Sequence, residues 1–312
     1  MTEVITIGEP MIVLIAEQTG ALKNVTSFSK SVAGAELNTS VGLTRLGHST
    51  TYITRLGVDP FGECILDFIE SENINKESII IDKEHPTGLY LKSKPTNGKD
   101  PSVYYYRKNS AASFLSPQDI EKISFSGAKL LHISGITAAL SPSCKKAVDK
   151  AIDKAKKQNM LISFDPNIRK SLWHSPEEMQ TTLNDLASKS DIVIPGIKEG
   201  IELTGKQTPR EIADFYLELG AKTVIVKLGA PGAYYKTNKE AAVIEGFHVK
   251  NVVDTVGAGD GFAAGVLSAL LEGFPLKEAV KRGNAIGAMV ITSKEDNGAL
   301  PTKQQLNNFL EL

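Results

Sequence analysis

Short apolar runs alternate with amphipathic stretches along most of this chain. The clearest apolar runs are residues 4–7, 50–53, 129–133, 161–164, 192–194 and 223–226. Stretches with helical spacing are residues 35–46, 144–158, 176–187, 209–219, 261–271, 276–292 and 302–310. The alternation predicts βαβ units, in which helices cover both faces of a mainly parallel sheet.

Two regions interrupt this pattern. Residues 12–29 alternate apolar and polar positions, and residues 87–107 contain two more alternating segments around a turn-rich stretch at 95–101. Period-two segments with no helix between them predict a small antiparallel sheet. Such a sheet cannot bury both faces alone, so we expect a lid over a cleft, a contact with another subunit, or both. We treat 1–312 as a single domain that carries these lid strands.

Composition narrows the class of protein. The 312 residues are 41% hydrophobic and 23% charged, with a formal net charge of -1. This balance predicts no binding to nucleic acid or to an anionic membrane. The two cysteines, Cys64 and Cys144, are far apart and form no metal-site pattern, which favours a reducing, cytoplasmic location.

The most informative segment is DTVGAGDGFAAG at residues 254–265. Gly257, Ala258 and Gly259 can expose backbone N–H groups at the start of a helix, where the helix dipole attracts anions. Asp260 is unsuited to bind an anion but could remove a proton from an attacking hydroxyl. An anion site beside a base suits phosphoryl transfer to an alcohol, whereas a tight turn with a helix cap is the alternative. Spacing alone leaves both open.

This segment and several others resemble the PfkB (ribokinase-like) carbohydrate kinase family. Residues 254–267 match its C-terminal signature, and AGAELNTS at 33–40 resembles its N-terminal signature except at Glu36, where relatives have a small residue. Segments 87–90, 104–111, 165–169 and 296–299 are most similar to the 2-keto-3-deoxygluconate kinases of that family. The resemblance implies a ribokinase-like three-layer α/β/α sandwich with a mainly parallel sheet and a small antiparallel β lid.

The resemblance also implies an activity. It is the ATP-dependent phosphorylation of 2-keto-3-deoxy-D-gluconate on its terminal hydroxyl, which yields the 6-phosphate and ADP. ATP and Mg²⁺ would be the cofactors, with K⁺ as a further candidate. A fructokinase or ribokinase-like enzyme and a non-catalytic sugar-binding protein of the same fold remain as alternatives. An exposed outer lid face predicts a homo-oligomer.

Roles for individual residues follow from the resemblance. Asp260 would be the base, and Gly257, Ala258 and Gly259 would stabilise charge on the phosphoryl oxygens. The implied substrate-binding residues are Gly34, Asn38, Tyr90, Tyr105, Tyr106, Arg107, Arg169, Asp260 and Asp296. Arginine is a natural bidentate partner for a carboxylate, so we expect Arg107 to select a sugar acid. From the residues alone, the tyrosines are more simply an aromatic ladder on a strand.

Nucleotide and cation sites are implied in the same way. The nucleotide-binding residues would be Asn167, Ile168, Arg169, Lys227, Leu228, Gly229, Ala230, Pro231, Gly232, Gly257, Ala258, Gly259 and, near adenine, Asn284. Glu199 would hold Mg²⁺ through water, although Gly196 stands where the family has an asparagine. Asp254 matches the family's monovalent-cation position.

Overall fold

The computed structural model describes residues 2–94 and 101–311, so the predicted turn at 95–101 lies almost wholly outside the described residues. The strands are β1 Val4–Ile7, β2 Met11–Thr19, β3 Phe28–Ala33, β4 Thr50–Gly57, β5 Ile79–Asp82, β6 Leu89–Lys94, β7 Val103–Tyr106, β8 Leu130–Ser134, β9 Leu161–Asp165, β10 Ile192–Val193, β11 Thr223–Gly229, β12 Gly232–Thr237 and β13 Ala241–Glu245. The helices are α1 Ala35–Arg45, α2 Pro60–Ser71, α3 Pro117–Lys122, α4 Gly135–Leu140, α5 Pro142–Lys157, α6 Pro176–Ser188, α7 Ile197–Thr204, α8 Pro209–Leu219, α9 Ala258–Leu271, α10 Leu276–Val290 and α11 Lys303–Leu310.

The large sheet has nine strands in the order β13-β12-β11-β10-β9-β8-β1-β4-β5. The strands from β11 to β5 pair in parallel, and the β12–β13 hairpin adds an antiparallel edge. Every apolar run predicted as a buried strand lies in this sheet. Strands β5 and β13, at the two edges of the sheet, and β12 beside β13 escaped prediction. Edge strands need no continuous apolar run, and β13 has no fully buried residue.

Helices cover both faces of the sheet, as predicted. On one face the core includes Val148 of α5, Leu183 of α6 and Ile212 of α8, all fully buried. On the other face α9 and α10 pack against the sheet through residues such as Val266 and Val280. The three-layer ribokinase-like sandwich is therefore confirmed. Among the described residues, no helix combines the length and apolar character needed to cross a membrane.

The lid is a four-stranded sheet in the order β3-β2-β6-β7. The pairs β2–β3 and β6–β7 are antiparallel, and the central pair β2–β6 is parallel because the chain passes through the main sheet between these strands. The inner face buries an apolar cluster that includes Val13 and Tyr90. On the outer face, Tyr104 and Tyr106 are 58% and 64% exposed. The lid predicted from period-two patterning is present.

Helix α9 begins at Ala258, three residues before the predicted start, so Asp260 lies in its first turn. The helix packs closely on α10 through two glycines. A Cβ atom on Gly265 would lie 2.9 Å from the Cα atom of Gly283 and 3.0 Å from its backbone nitrogen. This contact sets the distance between the two helices.

We expect Gly265→Ala to lower the free energy of unfolding by about 1–3 kcal/mol, since overpacking against backbone outweighs the gain in helix propensity. Gly287→Ala on α10 is the matched control. Its Cβ would meet nothing closer than 3.5 Å, so we expect it to be neutral or stabilising. Denaturant unfolding of both variants makes the comparison, and equal effects would contradict it.

Candidate active site

A cavity of about 240 Å³ lies between the lid and the carboxyl edge of the large sheet. Loops after parallel strands meet at this edge, which is where open α/β sheets bind ligands. Of the residues predicted for the site, those that line the cavity are Gly34, Asn38, Tyr90, Tyr105, Arg107, Asn167, Arg169, Glu199, Lys227, Gly257, Gly259, Asp260 and Asp296. The structure thus brings together segments far apart in sequence.

Asp260 is buried at the start of α9 and is held by two amides. Its Oδ2 accepts a hydrogen bond from Asn38 Nδ2 at 2.8 Å, and its Oδ1 accepts one from Asn167 Nδ2 at 3.3 Å. Burial raises the pKa of Asp260 to about 8, because the desolvation of the carboxylate outweighs the bond from Asn38 and the attraction of nearby cations. A carboxylate with a pKa near neutrality is a strong enough base for a hydroxyl proton.

The turn before Asp260 requires glycine. Gly257 has a φ of 84°, and a Cβ there would lie 2.1 Å from the backbone oxygen of Asp296. Gly257 and Gly259 line the cavity. Ala258, predicted as part of the same cradle, does not line it, and its N–H donates to the Thr255 oxygen at 3.3 Å. Of the three residues predicted to hold an anion here, the structure thus brings Gly257 and Gly259 to the cavity and leaves Ala258 out of its lining.

Lys227 lies beside this turn, with its Nζ 3.4 Å from where a Cβ of Gly259 would be. It forms an ion pair with Asp165 Oδ2 at 2.5 Å. Burial alone would lower the pKa of Lys227, but Asp165 and Glu199 raise it, so the side chain remains a cation. Lys227 is one of the residues predicted to bind the nucleotide, and the structure places its ammonium in the cavity beside the glycine turn.

Glu199 organises the loop after β9. Its two carboxylate oxygens accept hydrogen bonds from the backbone N–H groups of Ile168 at 2.8 Å and Gly196 at 2.7 Å. Burial raises the pKa of Glu199 in spite of nearby Lys227. Ile168 does not line the cavity, and it contributes through its backbone: its N–H donates to Glu199, and its oxygen accepts a hydrogen bond from Arg169 at 3.1 Å. The carboxylate also faces the cavity, where a hydrated cation could reach it.

Two arginines line the cavity, and they differ in whether a carboxylate of the protein is paired with them. Arg107 donates from Nε to Glu9 Oε2 at 2.6 Å and forms an ion pair with the same buried carboxylate. Its charge is therefore already balanced within the protein. Arg169 lines the cavity, and no carboxylate of the described residues lies within ion-pair distance of it. Nearby Tyr105 and the negative charge of Asp260 raise the pKa of Arg169 although burial opposes this.

Several predicted site residues lie elsewhere. Tyr106 faces outward on β7, opposite to Tyr105, because side chains alternate along a strand. Asn284 donates to the backbone oxygens of Ile244 and Glu245, both at 3.0 Å, so its amide joins α10 to β13. The remaining predicted nucleotide residues, Leu228, Gly229, Ala230, Pro231 and Gly232, form the end of β11, the turn and the start of β12, outside the cavity.

Asp254, predicted to bind a monovalent cation, and Asp296, predicted to bind the substrate, both form ion pairs with Lys92. Asp254 does not line the cavity, and its carboxylate is paired with Lys92 at 2.6 Å. Asp296 accepts hydrogen bonds from Tyr90 and Lys92, both at 2.6 Å. Asp296 therefore anchors the lid as well as lining the cavity.

Sequence reasoning missed Lys92 and Glu9, and did not give Asp165 a role. Asp165 and Glu9 end or closely follow buried parallel strands, a position that signals the ligand edge of the sheet. Lys92 shares the inner face of β6 with Tyr90, two residues away, which places a cation on the buried side of a lid strand. Their carboxylate and ammonium partners come from distant segments that no local pattern connects.

Comparisons with known proteins agree along the chain. The model of the pfkB family carbohydrate kinases matches residues 1–303. The 2-dehydro-3-deoxygluconokinase of Bacillus subtilis (strain 168) is 46% identical over 309 residues, covering 99% of this chain and 95% of that protein. The enzyme of that name from Thermoproteus tenax is 33% identical, covering 100% of this chain and 95% of its own.

A solved structure is also similar: a putative ribokinase II from E. coli in complex with ATP and Mg²⁺. It is 28% identical, has a TM-score of 0.90 and covers 100% of this chain and 99% of its own. The likeness thus includes the lid, the sheet and the loops that meet at the cavity. By sequence and by fold, this chain belongs to the pfkB family of carbohydrate kinases.

Proposed function

We propose that this protein transfers the γ-phosphoryl group of ATP to the terminal hydroxyl of 2-keto-3-deoxy-D-gluconate, giving the 6-phosphate and ADP. The observation that carries the proposal is Asp260, a buried base beside a glycine turn in a cavity that also contains Arg169. The 46% identity to a 2-dehydro-3-deoxygluconokinase supports the sugar acid as substrate. Parallel assays with this acid, fructose and ribose test the choice.

Asp260 removes the proton of the attacking hydroxyl. Hydrogen bonds from Asn38 and Asn167 hold the carboxylate in one orientation, so that a hydroxyl in the cavity meets a positioned acceptor. The raised pKa makes the deprotonated carboxylate a better proton acceptor than an exposed aspartate. A positioned base contributes roughly 10²–10⁴-fold to the rate.

Charge on the transferring group meets a positive surface. The first N–H groups of α9 have no partners within the helix, and the helix dipole adds to their positive character. The ammonium of Lys227 lies next to Gly259. These groups stabilise phosphoryl oxygens as charge develops, which is the main source of catalysis in phosphoryl transfer.

Mg²⁺ bound to ATP fits this site. Among the described residues, no group of three or more His, Cys, Asp or Glu side chains could hold a metal ion. An ion carried by phosphates needs only one or two carboxylates, often through water. Asp165 and Glu199 line the cavity and would provide them, while the ion neutralises phosphate charge. The nucleotide base would extend from the α9 turn towards the exposed residues 229–231.

We assign the substrate carboxylate to Arg169 rather than to Arg107. Arg169 lines the cavity and has no carboxylate partner among the described residues, although its guanidinium donates to the Ile168 oxygen at 3.1 Å, whereas the charge of Arg107 is balanced by Glu9. Tyr90 and Tyr105 close the cavity from the lid and offer hydroxyls to the sugar. Arg107 keeps a role in shaping this wall.

The outer face of the lid suggests a second copy of the chain as its partner. Tyr104 and Tyr106 lie there, more than half exposed, and aromatic side chains are common at subunit interfaces. We propose a homo-oligomer formed through this face. Cys64 and Cys144 are both free thiols, which supports a reducing compartment such as the cytoplasm.

We expect Asp260→Asn to lower kcat by about 10²–10⁴-fold and to leave KM nearly unchanged, because the amide keeps the shape but cannot accept the proton. Steady-state kinetics and binding titrations measure the two effects. Asp185→Asn, on the exposed surface of α6, is the control and should retain full activity. Near wild-type turnover of the Asp260 variant would refute the mechanism.

The pH profile gives a second test. The base works only when it is deprotonated, so kcat/KM should fall as pH decreases below about 8, the pKa of Asp260. Asn38→Leu removes a hydrogen bond that favours the charged carboxylate. The acid limb of that variant should therefore move to higher pH. A limb that stays in place, or moves lower, would contradict this assignment.

Arg169→Gln should lower kcat/KM for the sugar acid by roughly 10–150-fold, the equivalent of a lost charge-assisted hydrogen bond. A neutral analogue, with a hydroxymethyl group in place of the carboxylate, should be affected far less. Arg107→Gln is the matched comparison: it leaves Glu9 buried without its cation, so stability should fall and both substrates should be affected alike. Equal losses for both substrates in Arg169→Gln would exclude the carboxylate role.

A further inference from the structure

Lys92 of the lid strand β6 is a fully enclosed cation outside the catalytic cavity. It is 1% exposed, and its Nζ lies 2.6 Å from Asp254 Oδ2 and 2.6 Å from Asp296 Oδ1. The backbone oxygen of Lys294 lies 3.4 Å away. One ammonium thus sits among oxygens from two loops that flank the catalytic turn.

Each of the two carboxylates bound to this ammonium also accepts a hydrogen bond at its second oxygen. The second oxygen of Asp254 accepts the N–H of Val256 at 3.0 Å, and the second oxygen of Asp296 accepts the hydroxyl of Tyr90 at 2.6 Å. Burial alone would lower the pKa of Lys92, but Asp296 and Asp254 together raise it. Lys92 therefore stays charged across the physiological range.

These residues do not fit a bound monovalent ion. Asp254 matches the position that resemblance assigned to K⁺, yet the carboxylate oxygen that could reach such an ion is bonded to an ammonium. A second cation there would lie within a few ångströms of Lys92, in a buried place where like charges repel strongly. The carboxylate oxygens that such an ion would need here, from Asp254 and Asp296, are already bound to Lys92.

We propose that the ammonium of Lys92 serves as a built-in replacement for a monovalent cation, so that this enzyme is independent of K⁺. The effect on activity rests on the proposed kinase function. Lys92 is a positioning residue: it balances two buried carboxylates whose loops hold the turn at Gly257. The backbone of Asp296 packs directly on Gly257, so displacement of Asp296 would displace the phosphoryl cradle.

The position of Lys92 also couples the lid to this charge. Tyr90 and Lys92 lie on the same face of β6, and both bind Asp296. A free ion would reach the loops from solvent, whereas this cation comes with the lid strand. The lid and the catalytic turn are therefore joined by an ion pair. Because its cation is a side chain of the protein, ions from the buffer cannot take its place by exchange.

The wild-type protein provides the first experiment. At constant ionic strength, kcat/KM should agree within about twofold in potassium, sodium and tetramethylammonium chloride, and the thermal midpoint should be equal in all three, since a bound ion would stabilise the native state. Specific activation by K⁺, or a midpoint raised by K⁺ alone, would overturn the proposal. The thermal measurement needs no substrate, so it stands even if the kinase assignment fails.

Lys92→Met provides the second experiment. Removal of the ammonium leaves two buried carboxylates facing each other, so kcat/KM should fall by about 100-fold through displacement of the turn. K⁺ should now restore part of the activity and raise the thermal midpoint, whereas tetramethylammonium is too large to do either. Lys94→Met is the matched control, because Lys94 is exposed on the same strand and binds only the Glu17 oxygen in the described residues. It should behave as wild type in every salt.

The outcomes for the variant are distinct. If the folded Lys92→Met protein responds to K⁺ no more than to tetramethylammonium, in kcat/KM and in thermal midpoint, the proposal that Lys92 replaces a monovalent cation is wrong. Lys92 would then be only a structural link. If the variant does not fold, the wild-type salt series decides the question. A K⁺ response in both wild type and variant would also refute the proposal.

Discussion

Balance of charge at the buried carboxyl edge of the sheet is the constraint on which this structure depends. Ionised carboxylates are costly to bury unless a cation or several hydrogen-bond donors accompany them. Here Asp165 has Lys227, Glu9 has Arg107, and Asp254 and Asp296 share Lys92. These pairs connect the lid, the sheet and the loops, because each cation comes from a different segment of the chain from its partner.

Asp260 stands apart within that arrangement. It receives two amide hydrogen bonds but no ion pair of its own among the described residues. Desolvation of the buried carboxylate raises its pKa and outweighs the attraction of Arg169 and of Lys227, which is itself paired with Asp165. The same charge pairs that stabilise the edge of the sheet thus leave one carboxylate basic enough to act.

Glu36 shows how a departure from the family pattern is accommodated. It lies fully buried on α1 and accepts hydrogen bonds from Ser134 Oγ at 2.5 Å and Thr137 Oγ1 at 2.8 Å. Burial raises the pKa of Glu36. A carboxyl group that is readily protonated costs less to bury than a charged one. In this chain the two hydroxyls bind one oxygen of that carboxyl group.

Local patterns determined a large part of this protein. Runs of apolar residues identified the parallel strands, because strands buried on both faces need side chains of one kind, and alternation identified the lid. The spacing of the GAGD segment allowed either a phosphoryl-transfer site or a capped turn, and the resemblance to the carbohydrate kinases favoured the first. The separation of Tyr105 from Tyr106 onto opposite lid faces also follows from strand periodicity.

Only the tertiary structure decided which charges meet. The family resemblance implied that Arg107 binds the substrate carboxylate and that Asp254 binds a cation, and the folded chain gives each of them an internal partner, Glu9 and Lys92. Those partners lie many residues away, and no periodicity links them. A side chain's chemistry is set by its residue type, but its charge state and availability depend on neighbours that folding brings together across the sheet.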